Sequence, residues 1–418
     1  MYAVDRSTAL FYDMGKDNGG GSLCVLAEIE GILSERFVVG RIGHVLGRYP
    51  VLSKTIVKHD QGVEWKDHAL VNARDHFKLI ERKKYDKRGL QRFVSSLLQK
   101  DFVQGQPEWE FNLLTYEQSN KSYLLFKSSH IYGDGHQVSH YLRLFMDDPG
   151  IKYPKANVRL SSVFYKIYAF VVALVSLLFV MLYPRPKESA IDRRCARHDR
   201  PRFLHCKTWA LKEVRRVKDH FGVSINDLFY TIITQAMREY CGEDIQVSSL
   251  SMFNLRDLSS FAPDECSTMK KQNDIGFIAI RKKVTSDLTG NLRDNSSTLS
   301  YFKHSPFISI LVQVMKGICW LFPPFSSFFM RQLCDKSTFE FSNFRAFGDE
   351  KRIDGKRVTN ISNAVIPYRV GSLFTLVSYF DKITLNVTFR ERNITDQKKF
   401  IRCVDNAYCE LKDRALGW

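Results

Sequence analysis

Hydrophobic and polar positions follow both helical and strand periodicities along this chain, which predicts a protein of mixed α/β class. Apolar residues recur at three- and four-residue spacings in 34–50 and 136–146, and we expect a helix in each stretch. The short apolar run 123–129 (YLLFKSS) is typical of a buried strand. Near the C-terminus, 382–390 (KITLNVTFR) alternates apolar and polar residues, which favours a strand with one buried face.

The second half of the chain shows the same mixture. An amphipathic helix is predicted over 208–221, where Gly222 provides a left-handed end, and another helix begins after Ser224. A last helix is predicted over about 396–413. The order of these elements predicts an α/β (α+β) fold of two lobes, each with a mixed sheet and flanking helices.

An apolar stretch separates the two halves. Residues 167–183 (IYAFVVALVSLLFVMLY) contain no charge, and as a helix they would be about 26 Å long, which is marginal for crossing a bilayer. The loop that follows is rich in proline and arginine. We therefore divide the chain into an N-terminal lobe (1–150), a membrane-associated segment with a basic linker (151–202) and a C-terminal lobe (203–418).

Composition narrows the class of partner only slightly. The chain of 418 residues has 62 basic and 45 acidic residues, a net charge of +17, which favours anionic lipid surfaces or phosphate-bearing cofactors. Nucleic acid is not expected as a partner, because no recognition motif accompanies the charge. Nine cysteines without a CxxC pair indicate a reducing compartment, and the N-terminus does not have the pattern of a signal peptide.

The candidate chemistry centres on His130-Ile-Tyr-Gly-Asp134-Gly135. A histidine that leaves a strand ahead of a glycine-bearing turn can project its imidazole into a cleft, where its near-neutral pKa suits a general base. An ordinary histidine beside an Asp-Gly turn remains the alternative. His136 and His140 have a spacing that can hold zinc, but no further ligand cluster is evident, so no metal is predicted.

HIYGDG resembles the HHxxxDG motif of coenzyme A-dependent acyltransferases, specifically of the wax ester synthase/diacylglycerol acyltransferase (WS/DGAT) family. Further stretches resemble that family in the same order along nearly the whole chain: AVDRSTALFYD (3–13), SINDLFYTIITQAMREY (224–240), MFNLRDL (252–258), NDIGFIAI (273–280) and VSYFDKITLNVTFRERNITD (377–396). Two features depart from the family pattern. The first motif histidine is Ser129 here, and TNISNAV (359–365), interpreted as the family's corresponding turn, lacks its proline and glycine.

The resemblance implies transfer of a fatty acyl group from acyl-CoA, the co-substrate, to a long-chain alcohol or diacylglycerol. His130 would be the general base, Asp134 and Gly135 would shape the turn, and no permanently bound cofactor is implied. Asn226 and Asp227 match the family's Asn-Asp pair, although Ser224-x-x-Asp227 is also a capping box at a helix start. The second hypothesis is a catalytically silent lipid-binding or scaffold protein with the same fold.

The resemblance implies that both lobes share one active site, so a single crossing of the membrane between them is unfavourable. Either the segment does not cross or 305–330, a poor span but a reasonable interfacial element, also enters the membrane. We expect the first, with 161–183 embedded in the interface as a shallow or re-entrant helix. A helix buried in the protein core is the alternative. The expected location is the endoplasmic reticulum or lipid droplet, with the active site facing the cytosol.

Overall fold

Two six-stranded mixed sheets form the body of the molecule. A three-stranded sheet packs beside the one that is built mainly from the first part of the chain. The computed structural model describes residues 2–4, 6–18, 21–59, 62–68, 71–150, 199–254, 273, 275–304 and 323–417, with short pieces at 167–168, 170–171, 175, 182, 184–187, 189–191, 310–311 and 314. The predicted two-lobed mixed fold is confirmed, and we call the lobes the N-lobe and the C-lobe.

The first part of the chain builds most of the N-lobe. Its helices and strands are β1 Tyr2–Ala3, α1 Arg6–Asn18, β2 Ser22–Glu30, α2 Glu35–Arg48, β3 Lys54–His59, β4 Gly62–Asp67, β5 Phe77–Arg82, α3 Lys87–Gln99, β6 Trp109–Tyr116, β7 Lys121–Ser129 and α4 Gly135–Arg143. The predicted strand and both predicted helices of this region are thus confirmed. Ser34 starts α2, because its side chain accepts a hydrogen bond from the Phe37 amide.

The rest of the chain builds the C-lobe and two strands of the N-lobe. Its elements are β8 Pro201–Ala210, α5 Leu211–His220, α6 Ile225–Cys241, β9 Ile245–Asn254, β10 Ile275–Val284, α7 Leu288–His304, α8 Pro323–Asp335, β11 Phe339–Arg345, β12 Arg352–Ile353, β13 Lys356–Val365, β14 Ser372–Tyr379, β15 Lys382–Arg390 and α9 Gln397–Leu416. Helix α5 begins three residues later than predicted, because Thr208 continues β8 and pairs with Thr384 of β15.

The sheets show how the lobes are joined. The C-lobe sheet has the order β10-β9-β11-β14-β15-β8, and the N-lobe sheet has the order β12-β13-β2-β7-β6-β5. Strand β13 crosses from the second half of the chain and pairs antiparallel with β2. The stretch 359–365 lies inside this strand, so its interpretation as a turn is wrong. A segment paired along its length needs no proline or glycine, and their absence does not distort the site.

Strand β15 has the predicted bounds but differs from its prediction in the burial of its polar residues. Its apolar residues are buried as expected, but the polar residues between them, Thr384, Asn386 and Thr388, are buried as well. The hydroxyl group of Thr384 contacts the side chains of Thr208 and Asn360, and Asn360 belongs to β13 of the other sheet. The prediction of one buried face is wrong because the second face packs against the other lobe.

Most of the apolar segment 161–183 lies outside the described residues, as do 255–272 and much of 305–322. At its described positions the side chains are exposed to solvent: Ile167, Tyr168, Phe170, Val171, Val175 and Leu182. Exposure at these positions argues against the alternative of a helix buried in the core. Among the described residues, no helix combines the length and apolar character that a bilayer crossing requires.

Candidate active site

The motif histidine lies where the N-lobe sheet meets the C-lobe. Strand β7 ends at Ser129, and His130 opens a single 3₁₀ turn that ends at Gly133, whose φ of 144° is far from the range that side chains favour. Asp134 then caps α4 by accepting hydrogen bonds from the backbone amides of His136 and Gln137. The motif therefore folds as a strand, a tight turn and a capped helix.

Gly135 packs closely against the second lobe. A Cβ atom at this position would lie 3.3 Å from Cδ2 of Phe344, a residue at the end of β11 in the C-lobe. The roles predicted for Asp134 and Gly135 are both structural. Asp134 holds the start of α4, and Gly135 lets this turn approach the second lobe.

The imidazole of His130 is held by a side chain that the sequence did not single out. Its Nδ1 lies 2.9 Å from Oδ1 of Asn273, and Nδ2 of Asn273 donates to the His130 carbonyl oxygen at 2.8 Å. Because Oδ1 of an amide only accepts, Nδ1 must carry the proton in this contact. The other ring nitrogen, Nε2, is then the unprotonated one and can accept a proton.

The faces of the ring are also constrained. Phe11 of helix α1 stacks on His130 with ring centroids 4.1 Å apart and planes 6° from parallel. Burial lowers the pKa of His130 below its ordinary value of 6.5, while the Asp134 carboxylate and the hydrogen bond that Nδ1 donates to Asn273 act in the opposite direction. The imidazole is therefore neutral at pH 7, which is the form that a general base needs.

His130 lines a narrow apolar cavity between the lobes. The cavity has a volume of about 50 Å³, and Phe11, Gly21, Leu250, Met252, Ile275, Phe277, Met330, Cys334, Glu340, Val365, Ile366 and Tyr368 complete its wall. A larger open cleft of about 1140 Å³ adjoins it, with Phe11 and Ile366 shared between the two. The inner cavity accepts only a few water-sized molecules, so a longer chain requires these side chains to move.

The Asn-Asp pair lies elsewhere. Ser224 and Asp227 form the reciprocal capping box that the sequence predicted at the start of α6, and Asp227 also accepts from the Ser296 hydroxyl group at 3.1 Å. The Asn226 side chain accepts a hydrogen bond of 2.5 Å from Asn343 of β11. Neither residue of the pair lines the His130 cavity, so their contacts connect α6 to its neighbours and do not reach His130.

Three residues of the site were missed by sequence reasoning: Phe11, Asn273 and Glu340. The first two lie in segments quoted for their resemblance to a known family, but nothing in those segments marked them as neighbours of His130. Glu340 had a visible signal, because it is a charged residue between two phenylalanines in a strand of the core.

The other two histidines of α4 contact each other. Their Nε2 atoms lie 3.3 Å apart. In the part of the chain that the structure describes, no cluster of three or more metal-ligating side chains surrounds them or any other position.

His130 thus lies at the junction of two lobes, and comparisons with known proteins show which family this chain resembles. Residues 272–412 match the family described as WS/DGAT C-terminal domain. The resemblance to the WS/DGAT family predicted from HIYGDG and the segments collinear with it is confirmed. No curated protein sequence matches the chain.

Solved structures share the fold over almost the whole length. The wax ester synthase/diacylglycerol acyltransferase of Marinobacter aquaeolei VT8 is 14% identical with a TM-score of 0.66, and the match covers 99% of each chain. Trichothecene 15-O-acetyltransferase of Fusarium sporotrichioides is 13% identical with a TM-score of 0.69 over 98% of this chain and 94% of its own. The starter condensation domain of rhizomide synthetase, solved with C8-CoA, is 10% identical with a TM-score of 0.63 over 97% and 94%. At these identities the likeness establishes the fold alone.

Proposed function

We propose that this protein is an O-acyltransferase that moves a fatty acyl group from acyl-CoA to a long-chain alcohol or diacylglycerol, forming wax esters or triacylglycerol. The observation that carries the proposal is the neutral imidazole of His130, held by Asn273 with Nε2 unprotonated at the wall of an apolar cavity. An apolar cavity suits a lipid, and a neutral imidazole suits a hydroxyl group that must lose a proton.

The reaction is a direct transfer. Nε2 of His130 takes the hydroxyl proton as the acceptor oxygen attacks the thioester carbonyl carbon, and a tetrahedral oxyanion forms. When the oxyanion collapses, the carbon–sulfur bond breaks. The imidazolium returns its proton to the sulfur, so coenzyme A leaves as the free thiol. The new ester keeps the carbon–oxygen bond, so neither a covalent acyl-enzyme nor a redox cofactor is needed.

The open cleft beside His130 is suited to the coenzyme A moiety. Its lining includes Lys66, Lys100 and Arg200. One carboxylate of the lining, that of Asp67, is already ion-paired with Lys54 at 2.7 Å. The lining also contains Arg390 and three further carboxylates, of which Asp199 is ion-paired with Arg392 at 2.9 Å. Two of its four carboxylates are thus paired with cations outside the lining, and the four lining cations favour phosphate groups at the mouth of the cavity. The rhizomide domain solved with C8-CoA supports an acyl-CoA as the co-substrate.

Attachment to a membrane surface would bring an oily acceptor to this site. The exposed apolar side chains between 167 and 182 support such attachment, because insertion into the membrane interface would remove them from water: Ile167, Tyr168, Phe170, Val171, Val175 and Leu182. We propose that the protein docks on the endoplasmic reticulum or on lipid droplets with the cavity on the cytosolic side. The silent lipid-binding alternative is less favoured, because such a protein needs no oriented and neutral imidazole.

The decisive experiment compares His130→Ala with wild type, using radiolabelled acyl-CoA and a panel of fatty alcohols and diacylglycerols. We expect kcat/KM to fall by about 10² to 10⁴-fold because the proton acceptor is gone. His44→Ala, at an exposed position of α2, is the matched histidine control and should keep wild-type turnover. Thermal unfolding of both variants checks that the fold is intact. Equal turnover of His130→Ala and wild type would refute the assignment.

A further inference from the structure

The C-lobe contributes a second ionisable group to the His130 cavity. Glu340 lies on β11, between Phe339 and Phe341, whose rings belong to the C-lobe core. Because side chains of a strand alternate between its two faces, Glu340 points to the opposite side of the sheet, towards the cavity. Register places Leu250 of β9 directly beside it, and Leu250 also lines the cavity.

The surroundings of the carboxyl group are almost entirely apolar. Only 5% of Glu340 is exposed, and the neighbouring wall of the cavity consists of Leu250, Met252 and Phe277 on the same face of the sheet. Within the described part of the chain, the Glu340 side chain makes no hydrogen bond or ion pair. A buried carboxyl group without a partner is unfavourable by itself, which indicates a group adapted to a ligand.

The charge state of this group restricts the ligand. Burial raises the pKa of Glu340 to about 8, and the nearby Arg390 guanidinium opposes that rise. At neutral pH the carboxyl group is therefore mainly protonated, with one O–H donor and one carbonyl acceptor. The same Arg390 charge disfavours a cationic ligand group, and the apolar wall disfavours an anionic one.

We propose that Glu340 forms a specificity subsite that binds a hydroxyl group on the lipophilic substrate lying against His130. A hydroxyl group both donates and accepts a hydrogen bond, so it satisfies both oxygens of a neutral carboxyl group. The inference rests on the proposed acyl transfer and narrows it to hydroxylated lipids. Two sources carry the same chemistry: an acceptor with a second hydroxyl group, or an acyl chain that is itself hydroxylated.

The test measures selectivity in wild type, Glu340→Leu and Glu340→Gln. One arm compares long-chain diols, with the second hydroxyl group at successive positions, against primary alcohols of the same length. The other arm compares hydroxyacyl-CoAs with the unsubstituted acyl-CoA. We expect wild type to prefer a hydroxylated substrate in one arm, and Glu340→Leu to reduce that ratio of kcat/KM values by about tenfold or more. Glu340→Gln keeps a donor and an acceptor and should keep most of the preference.

The arm that shows the preference identifies its source. Absence of any preference in both arms overturns the inference. So does a Glu340→Leu variant in which kcat/KM falls by the same factor for hydroxylated and for unsubstituted substrates. If wild type transfers no acyl group at all, the proposed function has failed separately. Equilibrium dialysis of a radiolabelled diol and its matched alcohol then decides the subsite: tighter binding of the diol by wild type, lost in Glu340→Leu, supports it, and equal binding refutes it.

Discussion

At the scale of single residues, the site depends on which nitrogen of His130 carries the proton. Asn273 decides this by accepting from Nδ1 while its amide nitrogen donates to the His130 carbonyl oxygen. Exchanging the oxygen and nitrogen of the Asn273 side-chain amide would lose these hydrogen bonds. The tautomer of His130 is therefore defined by the local geometry. In the proposed reaction Asn273 is a positioning residue, because its contacts are to His130.

Substitutions of Asn273 should move the pH dependence of kcat/KM in opposite directions. Asn273 raises the pKa of His130, so Asn273→Ala should shift the acidic limb of the profile to lower pH and reduce kcat/KM by about tenfold. Asn273→Asp places a carboxylate at the same atom, which favours the imidazolium and should shift that limb to higher pH. A pH series with each variant measures both shifts. Two variants that lose activity with an unmoved limb would indicate that Asn273 only supports the fold.

At the scale of elements, the buried polar face of β15 creates a pH-sensitive contact within the C-lobe sheet. His205 of β8 lies opposite Asn386, with Nδ1 of His205 at 3.2 Å from the Asn386 Oδ1 atom. Burial is the largest cause that lowers the pKa of His205 to about 4, and the Lys87 charge adds to it. The folded protein therefore holds this histidine neutral at pH values where the unfolded chain would already bind a proton.

This depressed pKa predicts loss of stability on acidification. Between about pH 6.5 and pH 4 the unfolded state binds a proton that the folded state does not, so the free energy of unfolding falls as pH falls. One group contributes up to about 3 kcal/mol over that range. Thermal unfolding followed across this range should show a weaker pH dependence in His205→Gln than in wild type. The same substitution at exposed His44 is the control, and equal slopes in all three proteins would contradict the prediction.

At the scale of the whole molecule, the crossing strand β13 links the two lobes around one cavity. It completes the N-lobe sheet against β2, and its Asn360 side chain contacts Thr384 of the C-lobe sheet. His130 comes from the N-lobe and Glu340 from the C-lobe, yet both line the same cavity. Such an arrangement requires both lobes on one side of a membrane.

Membrane docking through the exposed apolar side chains should be visible by flotation with anionic liposomes. The double substitution Val171→Asp, Val175→Asp adds two charges at exposed apolar positions and should lower liposome binding by about tenfold or more. Leu79→Asp, at an exposed position of the edge strand β5, is the matched control and should bind like wild type. Wild-type protein that stays in the soluble fraction, or a double variant that binds equally well, would contradict docking by this segment.

The sequence by itself determined the local structure and singled out His130 as the candidate base. Period and capping signals predicted α2, β7 and α6, because caps and apolar spacing act over only a few residues. The motif at His130 likewise lies within six consecutive positions, and the collinear segments pointed to the family.

Only the tertiary structure decided the partners of that base and the burial of strands between the lobes. Asn273 lies 143 residues from His130 in sequence, and no local pattern specifies a contact at that separation. The second face of β15 looked solvent-facing because its residues are polar, and the stretch 359–365 looked like a turn. The pairing of β13 with β2 decided both the burial of that face and the conformation of 359–365. This pairing joins residues far apart in the sequence, and its free energy depends on which surfaces meet in the folded chain.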